Sequence, residues 1–204
     1  MNSTVKWLIV GGILLVIFFS IYGKVIGFNN TGVALQQDSK SAWGNVESSY
    51  QRRNDLIGNL VNTVSGAAGF EKSTLTAVIE ARAKATAVTI DPSKITPGQL
   101  EAFQKSQSGV SSALSRLMVS VERYPDLKAN ENFLRLQTEL SGTENRIKIA
   151  RDRYNESVNP YNLHILGIPN RWINSIFGFD FKELPYYKSD PGAEKAPVVK
   201  FDFK

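Results

Sequence analysis

An all-α protein is expected from this chain: an N-terminal transmembrane helix, then an up-and-down antiparallel bundle of three long helices plus shorter ones, then an extended C-terminal tail. Three observations predict it. An apolar run without a charge, Trp7 to Tyr22, stands near the N-terminus. Beyond it, apolar residues recur at alternating spacings of three and four, the period of helices that pack along one stripe. Strand-like alternation is almost absent before residue 179. The chain is expected to divide into an anchor (1–28), a helical bundle (29–162), a short amphipathic helix (163–184) and an extended tail (185–204).

The anchor is WLIVGGILLVIFFSIY, with Trp7 and Tyr22 at its edges and Lys6 and Lys24 outside them. Interfacial aromatics and snorkelling lysines suit a bilayer span. The eleven Leu, Ile, Val and Phe between Leu8 and Ile21 favour insertion by about 3–7 kcal/mol in total. As a helix the run rises only about 25 Å, and Val25, Ile26 and Phe28 can complete the span if Lys24 snorkels. The following SIYGKVIGF offers no small-residue cleavage site, which favours a retained anchor over a signal peptide. Residues 7–28 thus make the lipid bilayer the first expected partner. The flanking charges are nearly balanced, with a slight lean toward a domain outside the cytoplasm.

The first bundle stripe is Trp43, Val46, Tyr50, Arg53, Ile57, Leu60 and Val64, and Gly66-Ala-Ala-Gly69 ends it. A shorter Ala-rich helix carries Leu75, Val78, Arg82 and Ala85 on one face. Asp91-Pro92 and Thr96-Pro97 bracket a linker. The next stripe runs Leu100, Phe103, Gln107, Val110, Leu114, Leu117, Val121 and Tyr124. Pro125 breaks the helix, and a third stripe follows: Phe133, Gln137, Leu140, Glu144, Ile147, Arg151, Tyr154, Val158 and Tyr161. After Pro160 the pattern changes. Trp172, Ile173, Ile176 and Phe177 share one side of a short helix that needs a surface to dock on. The bundle end is expected to be that surface, with Val198, Val199, Phe201 and Phe203 of the tail lying over the helix. The alternative surface is the membrane headgroup zone.

Composition removes several function classes. Without cysteine there is no disulfide, thiol nucleophile, Cys-bound zinc or iron–sulfur cluster. The net charge of +5 is spread and interleaved with acids, not gathered into a basic run, so no nucleic acid is expected as partner. The single histidine, His164, stands alone, and no metal-ligand spacing, phosphate loop or nucleophile elbow occurs. No catalytic residue, cofactor, metal or small-molecule substrate is therefore expected.

The anomaly is charge within the stripes: Arg53, Arg82, Glu144 and Arg151. A lone buried ion costs several kcal/mol, so these four are expected to pair inside the bundle, with Asp55, Glu80 and Asp152 at hand. They would form a binding or ion-conducting site, a polar layer that fixes helix register, or long stems with heads in solvent.

Several multi-residue motifs then carry a resemblance. Trp43 followed by Gln51-Arg-Arg-Asn-Asp-Leu-Ile-Gly-Asn-Leu-Val61, Val78-Ile-Glu-Ala-Arg82, Glu122-Arg-Tyr-Pro-Asp-Leu-Lys-Ala-Asn-Glu-Asn-Phe133, Leu136-Gln, Gly142-Thr-Glu-Asn-Arg146, Tyr154-Asn155, Tyr161-Asn162, Gly178-Phe179 and Ala196-Pro-Val-Val-Lys-Phe201 are similar to those of the bacterial LemA family. The resemblance covers nearly the whole chain. Gly58 departs from it where proline is usual, as do Ala67 and Phe70 where tyrosine and histidine are usual. It implies a single-pass bacterial inner-membrane protein with a helical bundle and no established catalysis. It also implies a short N-terminus outside the cell, opposite to the charge lean, so neither side is assigned. The function expected is an interaction or scaffold module for another membrane protein. The alternative is a self-assembling structural protein that organises the membrane.

Overall fold

The computed structural model describes residues 3–67 and 69–188, and among these every regular element is helical: α1 (Ser3–Ser65), α2 (Lys72–Thr86), α3 (Pro97–Val121), α4 (Pro125–Lys128), α5 (Glu131–Leu166) and α6 (Asn170–Ile176). Helix α1 is 63 residues long, about 95 Å at 1.5 Å per residue, and contains no proline to break it. Residues 3–24 stand exposed on all sides, and their apolar window is a candidate membrane span with none of its surface covered by the protein. Burial starts at Phe28, which is 3% exposed. Its ring packs with His164, Phe179 and Phe181. Phe28, expected at the end of the span, therefore packs into the base of the bundle and does not stand exposed with the apolar run.

Local chemistry sets the other boundaries. Gly69, at φ +78°, supplies the left-handed residue that turns the chain after α1. Thr96 and Gln99 cap each other's backbone N–H groups at the start of α3, and Pro97 occupies the first turn. The Asn130 side chain accepts from the Phe133 N–H at 3.2 Å and starts α5. Helix α5 runs through Pro160 to Leu166, past the expected bundle boundary at 162. Glu156 and Pro160 are both exposed, so water is at hand for the Glu156 carbonyl that proline leaves without a helical donor.

Cross-contacts give the topology. Phe28 meets His164, Trp43 meets Tyr154 and Arg53 meets Glu144, so α1 and α5 are antiparallel. Trp43 meets Phe103 and Arg53 meets Gln107, so α3 runs with α1. Helix α2 descends between them, giving up-down-up-down. Two cores result. The upper one is mainly aliphatic and formed by four helices, around Ile57, Leu60, Val78, Val110 and Leu117, with Phe70 and Phe133 as its buried rings. The lower one, nearer the candidate span, is aromatic: Trp43, Tyr50, Phe103, Tyr154, Tyr161 and Tyr187, closed by Ile90 and Ile95 from the loop before α3 and by Leu184 from the segment after α6.

All seven residues of the first stripe are buried, Arg53 included. In the third stripe the seam runs one residue earlier at alternate positions. Leu136 and Thr143 are buried while Gln137 and Glu144 are exposed, and Ala150 is buried while Arg151 is only half-covered. Neighbouring residues on a helix differ by about 100°, so the displaced polar residues stand at the seam's edge with their heads reaching water.

Candidate functional site

Where the two cores meet, the chain places a charge. Arg53 lies between Tyr50 of the lower core and Leu56 of the upper, and is 1% exposed. Its guanidinium stands 5.0 Å from the Tyr50 ring centroid. Nη1 donates to Glu144 Oε1 at 2.9 Å and to Ser111 Oγ at 3.2 Å, and Nη2 donates to the Gln107 side-chain oxygen. The ion is thus offset by a carboxylate and by neutral oxygens of Ser111 and Gln107, the latter through both its side chain and its backbone carbonyl, as burial of a guanidinium requires, while Nε has no partner among the described residues. Glu144 keeps about half its side chain in water, at 48% exposure, so the pair carries only one full desolvation cost.

The four charged stripe residues do not converge on one point. Arg53, Glu144 and Arg151 line a shared pocket of about 80 Å³ with Gln104, Gln107 and Ser111, room for a very few waters. Arg151 turns away from the pair: it donates to the Lys188 carbonyl at 3.1 Å and lies 4.8 Å over the Tyr187 ring. Arg82 is elsewhere, its guanidinium laid against the backbone of α1 at Gly58, where a Cβ would meet it at 3.4 Å. Asp55 takes a different partner, Gln51 at 3.0 Å.

A second constellation has its signal in plain view: the dipeptide Tyr-Asn at 154–155 and again at 161–162, seven residues apart. Seven residues are two helical turns, so both pairs present one face of α5. Across it runs the extended segment 179–188. Asn162 accepts from the Leu184 N–H at 2.9 Å and donates to its carbonyl at 2.8 Å. Asn155 does the same to Tyr187, at 2.8 and 3.1 Å. The Tyr161 and Tyr154 hydroxyls donate to the carbonyls of Lys182 and Pro185 at 3.0 and 3.2 Å. Side-chain amides thus take the place of a neighbouring strand for a segment that has none. Burial pushes the phenols of Tyr154, Tyr161 and Tyr187 above the ordinary tyrosine range. Gly32 completes the clamp, because a Cβ there would lie 2.9 Å from the Phe181 ring.

The base of the bundle holds His164 and α6. His164 Nε2 donates to the Phe28 carbonyl at 2.9 Å, and the Asn170 amide donates to Nδ1 at 3.3 Å; both ring nitrogens are engaged in structure. Helix α6 does dock on the bundle, through half-buried Ile173 and through Asn174, which donates to the Phe181 carbonyl at 3.0 Å. Trp172, Ile176 and Phe177 stay exposed at 59%, 76% and 51%. The bundle end therefore covers one side of α6 only. The tail residues Phe201 and Phe203, expected over this helix, lie outside the described residues.

The family model for the LemA family matches residues 42–201. Among curated proteins, the chain is 27% identical over 191 residues to magnetosome protein MamQ 2 of Paramagnetospirillum magneticum, covering 83% of this chain and 68% of that one. It is 26% identical, over the same shares, to magnetosome protein MamQ of Magnetospirillum gryphiswaldense. It is 28% identical over 160 residues to protein LemA of Metamycoplasma hominis, covering 78% of this chain and 67% of that one.

Proposed function

The chain belongs to the LemA family, and on that footing we propose that it is a non-catalytic interaction module, a helical scaffold held at the bacterial inner membrane by one retained span and engaging other membrane-associated proteins. The observation that carries this reading is the unbroken α1. One helix is both the candidate span and the central element of the bundle, so the domain is joined to its anchor without a linker. The polar residues support the non-catalytic part. Arg53 and Glu144 are matched to each other, Asn155 and Asn162 to backbone, and His164 to Phe28 and Asn170. Each of these contacts builds the bundle, and none presents an activated nucleophile with its base.

A second reading, self-assembly into a structural array, is favoured by Gly23 and Gly27 on the exposed part of α1. They are spaced as in the small-residue motif that lets two spans approach closely, and nothing lies within 4 Å of either Cβ position. Cross-linking the full chain in native membranes separates the two. Hetero-complexes that persist in Gly23→Leu/Gly27→Leu support the scaffold. Homo-oligomers alone, lost in that variant, replace it with the array.

A further inference from the structure

The exposed apolar residues at the bundle's base are not scattered. Leu163 and Leu166 end α5, Ile168 lies in the turn, and Trp172, Ile176 and Phe177 line α6; their exposures run from 46% to 76%. All belong to the end of the molecule where α1 leaves the bundle. His164 is level with Phe28 through its 2.9 Å hydrogen bond. Because α5 descends antiparallel to α1, Leu166 and the turn lie level with residues 24–26, the end of the exposed apolar stretch. That stretch, from Val5 to Ile26, rises about 33 Å, close to the 30 Å thickness of a hydrocarbon core. A core that covers it ends beside the turn, and α6 then falls in the headgroup layer.

We propose that residues 163–177 form a membrane-embedded foot: α6 lies in the interface of the same bilayer that α1 crosses, on the side of the bundle, with Trp172, Ile176 and Phe177 among the lipid headgroups and upper acyl chains. The proposal rests on the reading of α1 as a retained span. Its occupant follows from continuity, since the patch adjoins the one candidate membrane span among the described residues. Tryptophan at a water–hydrocarbon boundary is a favoured placement, and a helix too short to be stable in water gains its second surface there. Arg171 is the one basic residue within α6 itself, so attachment depends on apolar insertion rather than on anionic lipid. Zwitterionic phosphatidylcholine therefore suffices.

The test uses the full chain reconstituted in phosphatidylcholine vesicles, with bromine placed either high or low on the lipid acyl chains. In Trp7→Phe, the fluorescence lost on adding Trp172→Phe is the Trp172 component; fully buried Trp43, some fifteen residues and about 22 Å along α1 from Phe28, is the constant background. The Trp172 component is expected to be quenched by high-placed bromine more than by low, and to be protected from aqueous iodide. In Trp172→Phe, quenching of Trp7 by bromolipid reports the span separately. Trp7 quenched with Trp172 open to iodide and untouched by bromine leaves the span standing and overturns the foot. Trp172 shielded from both quenchers means that the chain's own tail or another protein covers it, which also overturns the foot. Trp7 untouched by bromolipid removes the span, and the foot with it.

Discussion

The two cores of this bundle are built on opposite principles. The upper core closes four amphipathic helices over aliphatic side chains, and its specificity lies in shape. The lower core has α1 and α5 along its full length but relies on extended segments to complete its walls. There the backbone of 182–187 is fixed by Asn155, Asn162, Tyr154 and Tyr161. Aliphatic packing is indifferent to register at the level of a single hydrogen bond, whereas the clamp accepts one register only. The half nearer the candidate span depends on hydrogen bonds that a single substitution can remove, and the far half does not.

Four substitutions test that contrast, each measured as the thermal or denaturant stability of the full chain in mild detergent. Trp43→Ala should be the most damaging. It empties a fully buried site in contact with Phe103, Tyr154 and Tyr187, and such truncations cost about 3–5 kcal/mol. Asn162→Leu keeps the volume but strands the N–H and carbonyl of Leu184, a loss of about 2–4 kcal/mol. Limited proteolysis should then cut within 179–188 before it cuts α2 or α3; cleavage beginning in the upper helices would show that the clamp does not hold the segment. Glu144→Ala leaves Arg53 buried with only neutral acceptors. Because Glu144 is 48% exposed and Ser111 and Gln107 remain, the loss should fall below that of a fully buried pair, at about 1–3 kcal/mol. Gly58→Ala should have the smallest effect and the opposite sign. The new methyl makes ordinary contact with Arg82 at 3.4 Å and removes a helix-interior glycine, stabilising by about 0.5–1 kcal/mol.

The contrast extends to pH. Burial raises the phenol pKa of Tyr154, Tyr161 and Tyr187 in the folded chain. A group whose folded pKa lies above its unfolded value holds its proton more tightly when folded. Its contribution is therefore complete below the unfolded value of about 10 and is lost as pH rises above it. Alkaline titration followed by phenolate absorbance should show these three ionising together, as the lower core opens, while the upper core, with no phenol among its fully buried residues, keeps its helical signal longer. Independent ionisation of the three in a still-folded chain would contradict the assignment.

Much of this was legible from residue spacing, and the misses have physical causes. The first stripe needed no correction because α1 is contacted on several sides and its whole face is core. The third slipped because Glu144 and Arg151 flank the seam closely enough to share its period, and long polar stems cover apolar neighbours while their heads reach out. Hydropathy alone does not tell lipid from aromatic neighbours, so it continues the apolar run to Phe28, which packs against His164, Phe179 and Phe181. A heptad of polar side chains names no partner, so the Tyr-Asn pairs do not by themselves announce a clamp; the partners of Asn162 and Asn155 lie 22 and 32 residues further on. The amphipathicity of α6 marked a face, but periodicity within seven residues does not say how many surfaces the helix meets.

The continuity of α1 has a mechanical consequence. From Phe28 to Ser65 the helix extends about 55 Å beyond the base of the bundle, and the antiparallel α5 stiffens much of that length. Transmembrane helices adjust their tilt to bilayer thickness. With no hinge between span and bundle, a tilt change of about 10° carries the distal end sideways by about 10 Å. With α1 crossing the bilayer as proposed, a thinning or thickening of the lipid that tilts the helix would become a lateral displacement far from the surface, at the turn around Gly66 and Gly69.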